Sequence, residues 1–294
     1  MRIAWCAVRH GVSVWLPGLG NPWLGRSLAK VLDRDFNRIQ FTPDLMPTDV
    51  TGHAMYDQKS EQFRIRRGPA FTQLLLADEI NRAPAKTQAA LLEVMQERQI
   101  TIEGKAFTLN EPYMVLATQN PLDQERTYPL PEAELDRFLF KVLIDYPDHA
   151  DETRLVNMVL DGTIRASLDV ESLSPVTDAA GLKAMKALSD SVLIDAEVLD
   201  YALRIVRATR DFSGLSHGAS PRASIALARA SRVQALFEGR DFVTPDDVPQ
   251  VAPPVLPHRL QLSADSAIEG QTPEPAPGRR LGPRAALEPR RGQR

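Results

Sequence analysis

One of the longest apolar runs in the chain ends in two adjacent carboxylates. Leu74-Leu75-Leu76-Ala77 leads directly into Asp78-Glu79, followed by Ile80-Asn81. A buried strand that delivers two acids at its C-terminal end can set one beside Mg2+ and the other beside a water. Asp78 would then sit in the metal shell, directly or through water, while Glu79 polarises a water for attack on a phosphoryl group. The bland alternative is an acidic turn. Further along, Val115-Leu116-Ala117-Thr118-Gln119-Asn120-Pro121 reads as a neighbouring strand that ends in a neutral amide. Asn120 can hold the attacking water or a phosphate oxygen without adding charge, or can simply start an Asn-Pro turn.

Two arginines complete the set. Leu130-Pro131-Glu132-Ala133-Glu134-Leu135-Asp136-Arg137-Phe138 places Arg137 at the end of a short helix, where another strand begins. A guanidinium there can reach a nucleotide on a neighbouring subunit and stabilise transition-state charge; the alternative is a surface pair between Asp136 and Arg137. Gly218-Ala219-Ser220-Pro221-Arg222-Ala223 opens a later helix. Arg222 at its start can swing onto phosphates as its domain moves, or stand as a solvated surface charge.

These residues need rigid elements to hold them. Phe36 to Phe41 alternates with period two, Phe71 to Ala77 is almost unbroken apolar, and Tyr113 to Thr118 and Phe138 to Ile144 are further buried strands. Gly11 to Val14 is expected as the first strand. Lys86 to Arg98 carries helical spacing after Pro84, and Ile100 to Leu109 predicts a hairpin turning at Glu103-Gly104-Lys105. Alternating strands and helices imply an α/β fold with a parallel sheet. Beyond Tyr146-Pro147 the pattern turns helical: Leu182 to Leu188, Ala196 to Thr209 and Pro221 to Phe237. Thr244-Pro245-Asp246-Asp247 predicts a helix start with a threonine N-cap. From about Ala264 the composition shifts to Pro, Gly and Arg, as in a disordered tail. The expected division is a core over 1–148, a linker over 149–175, a helical domain over 176–262 and a disordered tail over 263–294.

The bulk properties narrow the classes. With 294 residues, 43% hydrophobic and 25% charged, the chain suits one sizeable core with a smaller companion. A net charge of −3 provides no broad basic field for nucleic acid or membrane. Cys6 is the only cysteine, so no intrachain disulfide framework exists and a cytoplasmic, reducing location is expected. His10, His53, His149, His217 and His258 are scattered, and neither a His-Glu-x-x-His nor a Gly-x-Ser-x-Gly motif occurs. His53 near Asp49 and Asp57 imitates a metal cluster but suits a polar surface loop better. A DNA motor is the weakest class left.

Taken in order, the segments resemble the MoxR family of AAA+ ATPases from about Leu24 to Leu260. The resemblance is carried by Arg38-Ile39-Gln40-Phe41-Thr42-Pro43-Asp44-Leu45, Ala77-Asp78-Glu79-Ile80-Asn81-Arg82-Ala83-Pro84 and Glu93-Val94-Met95-Gln96-Glu97-Arg98. It continues in Ala117-Thr118-Gln119-Asn120-Pro121, Tyr128-Pro129-Leu130-Pro131-Glu132-Ala133 and Gly218-Ala219-Ser220-Pro221-Arg222-Ala223. It implies a P-loop NTPase-like αβα sandwich followed by a small all-helical lid. It implies ATP and Mg2+ as cofactors, with Asp78 at the metal and Glu79, Asn120 and Arg137 as catalytic residues. It also implies a homo- or hetero-oligomeric ring, hexameric in the usual case, that remodels a protein client or inserts its metal or cofactor. A client encoded nearby is the natural first candidate; no membrane and no specific nucleic acid are implied. The 100–109 hairpin and the 42–67 segment match insertions that such proteins carry, facing a client or the ring pore.

One motif departs from the family pattern. The phosphate loop of the form G-x-x-G-x-x-K-[ST] aligns with Trp15-Leu16-Pro17-Gly18-Leu19-Gly20-Asn21-Pro22. Pro17, Gly18, Leu19 and Gly20 keep a feasible turn, and with Asn21, Pro22 and Arg222 they form the expected nucleotide-binding set. Asn21 cannot neutralise phosphate charge as lysine does. Pro22 offers neither a hydroxyl to Mg2+ nor a backbone N–H to phosphate. Trp15 crowds a tight turn. Asn21-Pro22 is nonetheless a good helix start, so the fold can persist where the anion site weakens. Three explanations stand side by side: a degenerate subunit lending Arg137 to active neighbours, a truncated or mis-read gene with a short lead-in, or an ATPase with an unusual loop.

Overall fold

The computed structural model describes residues 10–15, 21–119, 128–144, 146–162, 170–269, 271–272 and 290–291. The first strand, β1 (Gly11–Trp15), is followed by helix α1 (Asn21–Val31) and strand β2 (Phe36–Gln40). A short helix α2 (Pro47–Thr51) leads into the antiparallel hairpin β3 (Gly52–Asp57) and β4 (Gln62–Arg67). Then come β5 (Leu74–Asp78), α3 (Ala85–Glu97), the hairpin β6 (Gln99–Ile102) and β7 (Lys105–Thr108), and β8 (Met114–Gln119). Helix α4 (Glu132–Leu135) precedes β9 (Phe140–Ile144).

Five strands form one sheet in the order β2-β5-β8-β1-β9. The β2–β5 and β5–β8 pairs are parallel, which fits strands joined through helices. Every residue of β5 is buried, as are Met114 to Thr118 of β8, so both read as continuous apolar runs covered on two faces. At the β6–β7 turn Glu103 and Gly104 both take positive φ, 48° and 74°, the left-handed pair that a two-residue hairpin needs. At the base of the β3–β4 hairpin Gly52 has φ of 91°, and a Cβ there would lie 2.2 Å from Arg66 O. Only glycine serves that position.

The helical part contains α5 (His149–Leu160), α6 (Ala179–Ser191), α7 (Ala196–Ala208), strand β10 (Leu215–His217), α8 (Pro221–Phe237), α9 (Asp247–Val255), strand β11 (Gln261–Leu262) and α10 (Ala264–Ile268). Contacts divide the chain into two compact units. One comprises Val12–Pro129 and Leu143–Leu182; the other comprises Met1–Gly11, Leu130–Val142 and Lys183–Arg294. Within the second, one apolar cluster runs from Leu139 and Phe140 through Val198, Ile205, Leu227 and Val233 to Val251 and Leu256. No described helix is long and apolar enough to cross a membrane.

The structure adds detail to two expected segments and corrects one helix cap. The 149–175 segment, expected as a linker, contains α5, capped by Asp148 whose Oδ1 accepts from Asp151 N at 2.8 Å. None of its residues is buried, although Leu155, Val156, Val159 and Leu160 share one face by their i,i+4 spacing. Thr244 does not cap a helix with its side chain: Asp247 Oδ2 instead accepts from Thr244 N at 2.7 Å and from Thr244 Oγ1 at 3.0 Å. That is the acid's half of a capping box, and the helix is regular from Asp247. Of the expected tail, 263–269 contains α10, capped by Ser263, and Gln271–Thr272 pairs with Arg290–Arg291; residues 270, 273–289 and 292–294 lie outside the described residues.

Candidate functional site

Strand register gathers the first group of residues. Gln40 of β2 lies opposite Asp78 of β5, and Arg38 lies opposite Leu76. Side chains two apart on a strand share a face, so Arg38, Gln40 and Asp78 project together. The ladder to β8 pairs Ala77 with Ala117, which brings Thr118 level with Asp78. The bonds follow from this geometry. Asp78 is buried; its Oδ2 accepts from Arg38 Nε at 3.1 Å and Nη2 at 2.8 Å. Its Oδ1 accepts from Thr118 Oγ1 at 2.6 Å. The same hydroxyl accepts from Glu79 N at 2.8 Å, so one buried Thr118 fixes both acidic residues.

Glu79 stands where the strand breaks, with φ 53° and ψ 49°. A non-glycine residue in this left-handed region costs about 1–3 kcal/mol and persists only where surrounding contacts over-determine it. Here those contacts are the Thr118 hydroxyl and the pair Gln40 Nε2 at 2.8 Å and Arg82 Nη1 at 3.0 Å, both donating to Glu79 Oε2. The Glu79 side chain is about a quarter exposed, 25%. The turn behind it is held by Gln88 of α3, whose buried Nε2 lies 3.1 Å from Ile80 O, 3.1 Å from Ala83 O and 2.8 Å from Tyr128 O. A strained acid aimed off the end of a buried strand, with a second acid beneath it, is suited to orient a water beside a metal.

Among the described residues no three His, Cys, Asp or Glu side chains converge as a metal cage. Mg2+ does not need one: it keeps several waters and is held by one or two carboxylates together with substrate phosphates. Asp78, with both oxygens already bonded, fits a water-mediated place in such a shell. Pro22, near the start of α1, lacks any side-chain ligand, so that half of the site does not fit a directly bound ion. Asn120 and the loop residues Pro17, Gly18, Leu19 and Gly20 lie outside the described residues. Asn21 and Pro22 are the first two residues of α1.

Arg137 and Arg222 belong to the other unit. Arg137 follows α4, its N–H donating to Glu134 O at 3.1 Å. Its Nε is buried without a hydrogen-bond partner, as is Glu134 Oε2. Burial pushes the Glu134 carboxyl up, with Arg137 offsetting part of the rise. Asp136 does not pair with Arg137 on the surface; it bonds Arg259 Nε at 2.8 Å. Arg222 is exposed at the second position of α8, where its N–H donates to Ser220 Oγ at 3.1 Å. Gly218, just before, passes so close to Arg210 that a Cβ would sit 2.5 Å from its N and Cα.

Comparison with known proteins settles the family. Residues 10–140 match the ATPase family associated with various cellular activities (AAA), and residues 207–277 match its lid domain. The chain is 40% identical over 274 residues to the chaperone MoxR1 of Mycobacterium tuberculosis, covering 90% of this chain and 71% of that one. It belongs to the MoxR family of AAA+ ATPases. The chain is also 43% identical over 255 residues to the uncharacterized protein YeaC of Bacillus subtilis, covering 87% of this chain and 78% of that protein. Protein MoxR of Methylorubrum extorquens is 30% identical over 272 residues, covering 83% and 76%. A candidate ATPase from Cytophaga hutchinsonii, known from a crystal structure, superposes with a TM-score of 0.83 at 38% identity, covering 92% of this chain and 83% of its own. MoxR-type sequence motifs therefore coincide with the Asp78–Glu79–Thr118 group and with the start of α8. The motifs contain Arg38, Gln40, Arg82 and Thr118 without giving them a role; sheet register brings Arg38, Gln40 and Thr118 to the acids, and the turn after β5 brings Arg82 to Glu79.

Proposed function

We propose that this chain is a ring-forming ATPase subunit that binds MgATP weakly and hydrolyses it to drive chaperone-like remodelling of, or metal or cofactor insertion into, a protein client. The observation that carries the reading is Glu79, strained into the left-handed region and bonded to the same hydroxyl that holds Asp78. Asp78 would hold Mg2+ through water, and the ion would supply charge neutralisation at the phosphates. Glu79 would orient the attacking water, a task that the family resemblance shares with Asn120. Arg222 would contact the phosphates, and Arg137 would reach the nucleotide of a neighbouring subunit. The name of the relative MoxR1 supports a chaperone role. Exposed Tyr56 and Phe63, paired edge-to-face on the β3–β4 hairpin, support that hairpin as a client contact.

The weakness of binding is a consequence of Asn21 and Pro22. Loss of one charge-assisted contact, about 1.5–3 kcal/mol, weakens affinity roughly 10- to 150-fold. The same two residues favour a second reading: a subunit that does not hydrolyse and serves by offering Arg137 in trans. Phosphate release at saturating MgATP separates them. Turnover that is lost in Glu79→Gln supports the first; absence of turnover in the wild type, with stimulation of a catalytically competent family member that requires Arg137, supports the second.

A further inference from the structure

Arg137 and Arg222 are connected within one unit by a short series of bonds. Ser220 Oγ accepts from Arg222 N at 3.1 Å and donates to Asp136 Oδ2 at 2.7 Å. Asp136 Oδ1 accepts from Arg259 Nε at 2.8 Å. The rest of the Arg259 guanidinium faces the backbone on either side of Arg137. Its Nη2 donates to Phe138 O at 2.5 Å and lies 3.4 Å from Asp136 O; its Nη1 lies 3.4 Å from Leu139 O and donates to Val255 O. His258 Nε2 stands 3.1 Å from the same Phe138 O. A carbonyl only accepts, so this imidazole carries its proton on Nε2. The Arg259 and Asp136 side chains are 3% and 13% exposed.

A buried ion pair is seldom the most stable way to fill space; apolar side chains of similar volume do as well or better. What a guanidinium adds is direction, since its planar fork holds several acceptors in fixed places. Here those acceptors are the Asp136 carboxylate and carbonyls bracketing Arg137. A cavity of about 320 Å³, lined by Glu132, Asp136, His217, Gly218, Ser220 and Arg259, opens onto this joint. Both Ser220 and Arg259 line this cavity, so the two ends of the joint face the same space.

We propose that Asp136, Ser220 and Arg259 are positioning residues that couple Arg137 to Arg222, so that displacing one of these arginines displaces the other. The inference rests on the reading of both arginines as nucleotide ligands. Nucleotide engaged by Arg222 would shift the start of α8, Ser220 would pull on Asp136, and Arg137 would be re-aimed toward the neighbouring subunit. Coupling of this kind needs a contiguous physical link, and the bonds named here supply one.

The test reads each variant at the far arginine. The full chain is labelled with 15N-arginine, and the Nε–Hε signals of Arg137 and Arg222 are assigned by their loss in Arg137→Lys and Arg222→Lys. Ser220→Ala leaves all three arginines in place and is expected to shift the Arg137 signal; Ser220→Thr, which keeps a hydroxyl, restores it. Asp136→Asn is expected to shift the Arg222 signal. Thermal melting confirms that each variant is folded, and if Asp136→Asn does not fold the Ser220 pair alone decides. A folded Ser220→Ala protein with an unmoved Arg137 signal overturns the proposal. In ATP turnover, Ser220→Ala is expected to lower kcat by roughly a hundredfold, the scale of an ångström misplacement. Adding Ser220→Ala to Arg137→Ala is expected to cost nothing more. A wild type without turnover sinks the hydrolytic reading alone, because the far-arginine shift is measured without nucleotide.

Discussion

Replacing Thr118 by valine probes the local geometry of the acidic pair. The two side chains have nearly the same shape, and Thr118 is 3% exposed, so packing is preserved while one hydroxyl is lost. That hydroxyl makes two bonds. The 2.6 Å bond to the Asp78 carboxylate involves a charged acceptor, worth about 1.5–3 kcal/mol, and its loss leaves Oδ1 buried and unpaired. The 2.8 Å bond from Glu79 N is a neutral one; breaking it strands a part-buried donor at a residue already strained by φ of 53°, for about 1–2 kcal/mol more. Thr118→Val is thus expected to lower stability by about 2.5–5 kcal/mol, measured by urea unfolding followed through β5 and β8 amide exchange. Thr118→Ser keeps both bonds and is expected to stay within about 1.5 kcal/mol of wild type. If valine costs less than about 1 kcal/mol, the hydroxyl does not hold Asp78 and Glu79 as described.

Two further perturbations probe the lid. Asp247 is buried and takes Arg240 in a fork, Nη2 to Oδ1 at 2.6 Å and Nη1 to Oδ2 at 2.8 Å, so Asp247→Ala is expected to cost about 3–5 kcal/mol in chemical denaturation. Burial pushes its carboxyl up, but bonds from Arg240 and Thr244 outweigh this and hold it below the usual range. Its contribution is therefore present above an unfolded pKa of about 3.9 and lost as pH falls below it, and acid melts of the variant should lose that component. Burial, with help from Arg259 and Lys141, lowers His258 to about 3. Unfolding then takes up a proton below about pH 6.5, so stability falls from there toward pH 3 at about 1.4 kcal/mol per pH unit, and His258→Gln should remove that slope in melts between pH 7 and pH 4.

Much of this architecture is legible in the residues. The β5 run and its terminal acids stand out because a doubly covered parallel strand is apolar throughout, and α8 begins where Ser220-Pro221 says it should. The partners of those acids are not legible, because they arrive from other strands. Arg38 and Gln40 meet Asp78 only once β2 is known to lie beside β5, and Thr118 meets it only because β8 lies on the other side. Arg259 sits in a stretch to which the sequence assigns no role, yet it is buried among carbonyls some 120 residues away in sequence. Helix α5 is a different case: Leu155, Val156, Val159 and Leu160 do have helical i,i+4 spacing, which the linker reading passed over, and in the structure they stay exposed.

The central claim, that Asp78 and Glu79 serve an ATP site weakened at Asn21 and Pro22, is tested most directly by restoring the two missing groups. Mg-dependent phosphate release is measured across ATP concentrations for the wild type, for Asn21→Lys combined with Pro22→Thr, and for that double variant carrying Glu79→Gln. The double variant is expected to lower KM by roughly 10- to 150-fold, and Glu79→Gln to abolish its turnover. A folded double variant with unchanged KM, or turnover that survives Glu79→Gln, would contradict the claim.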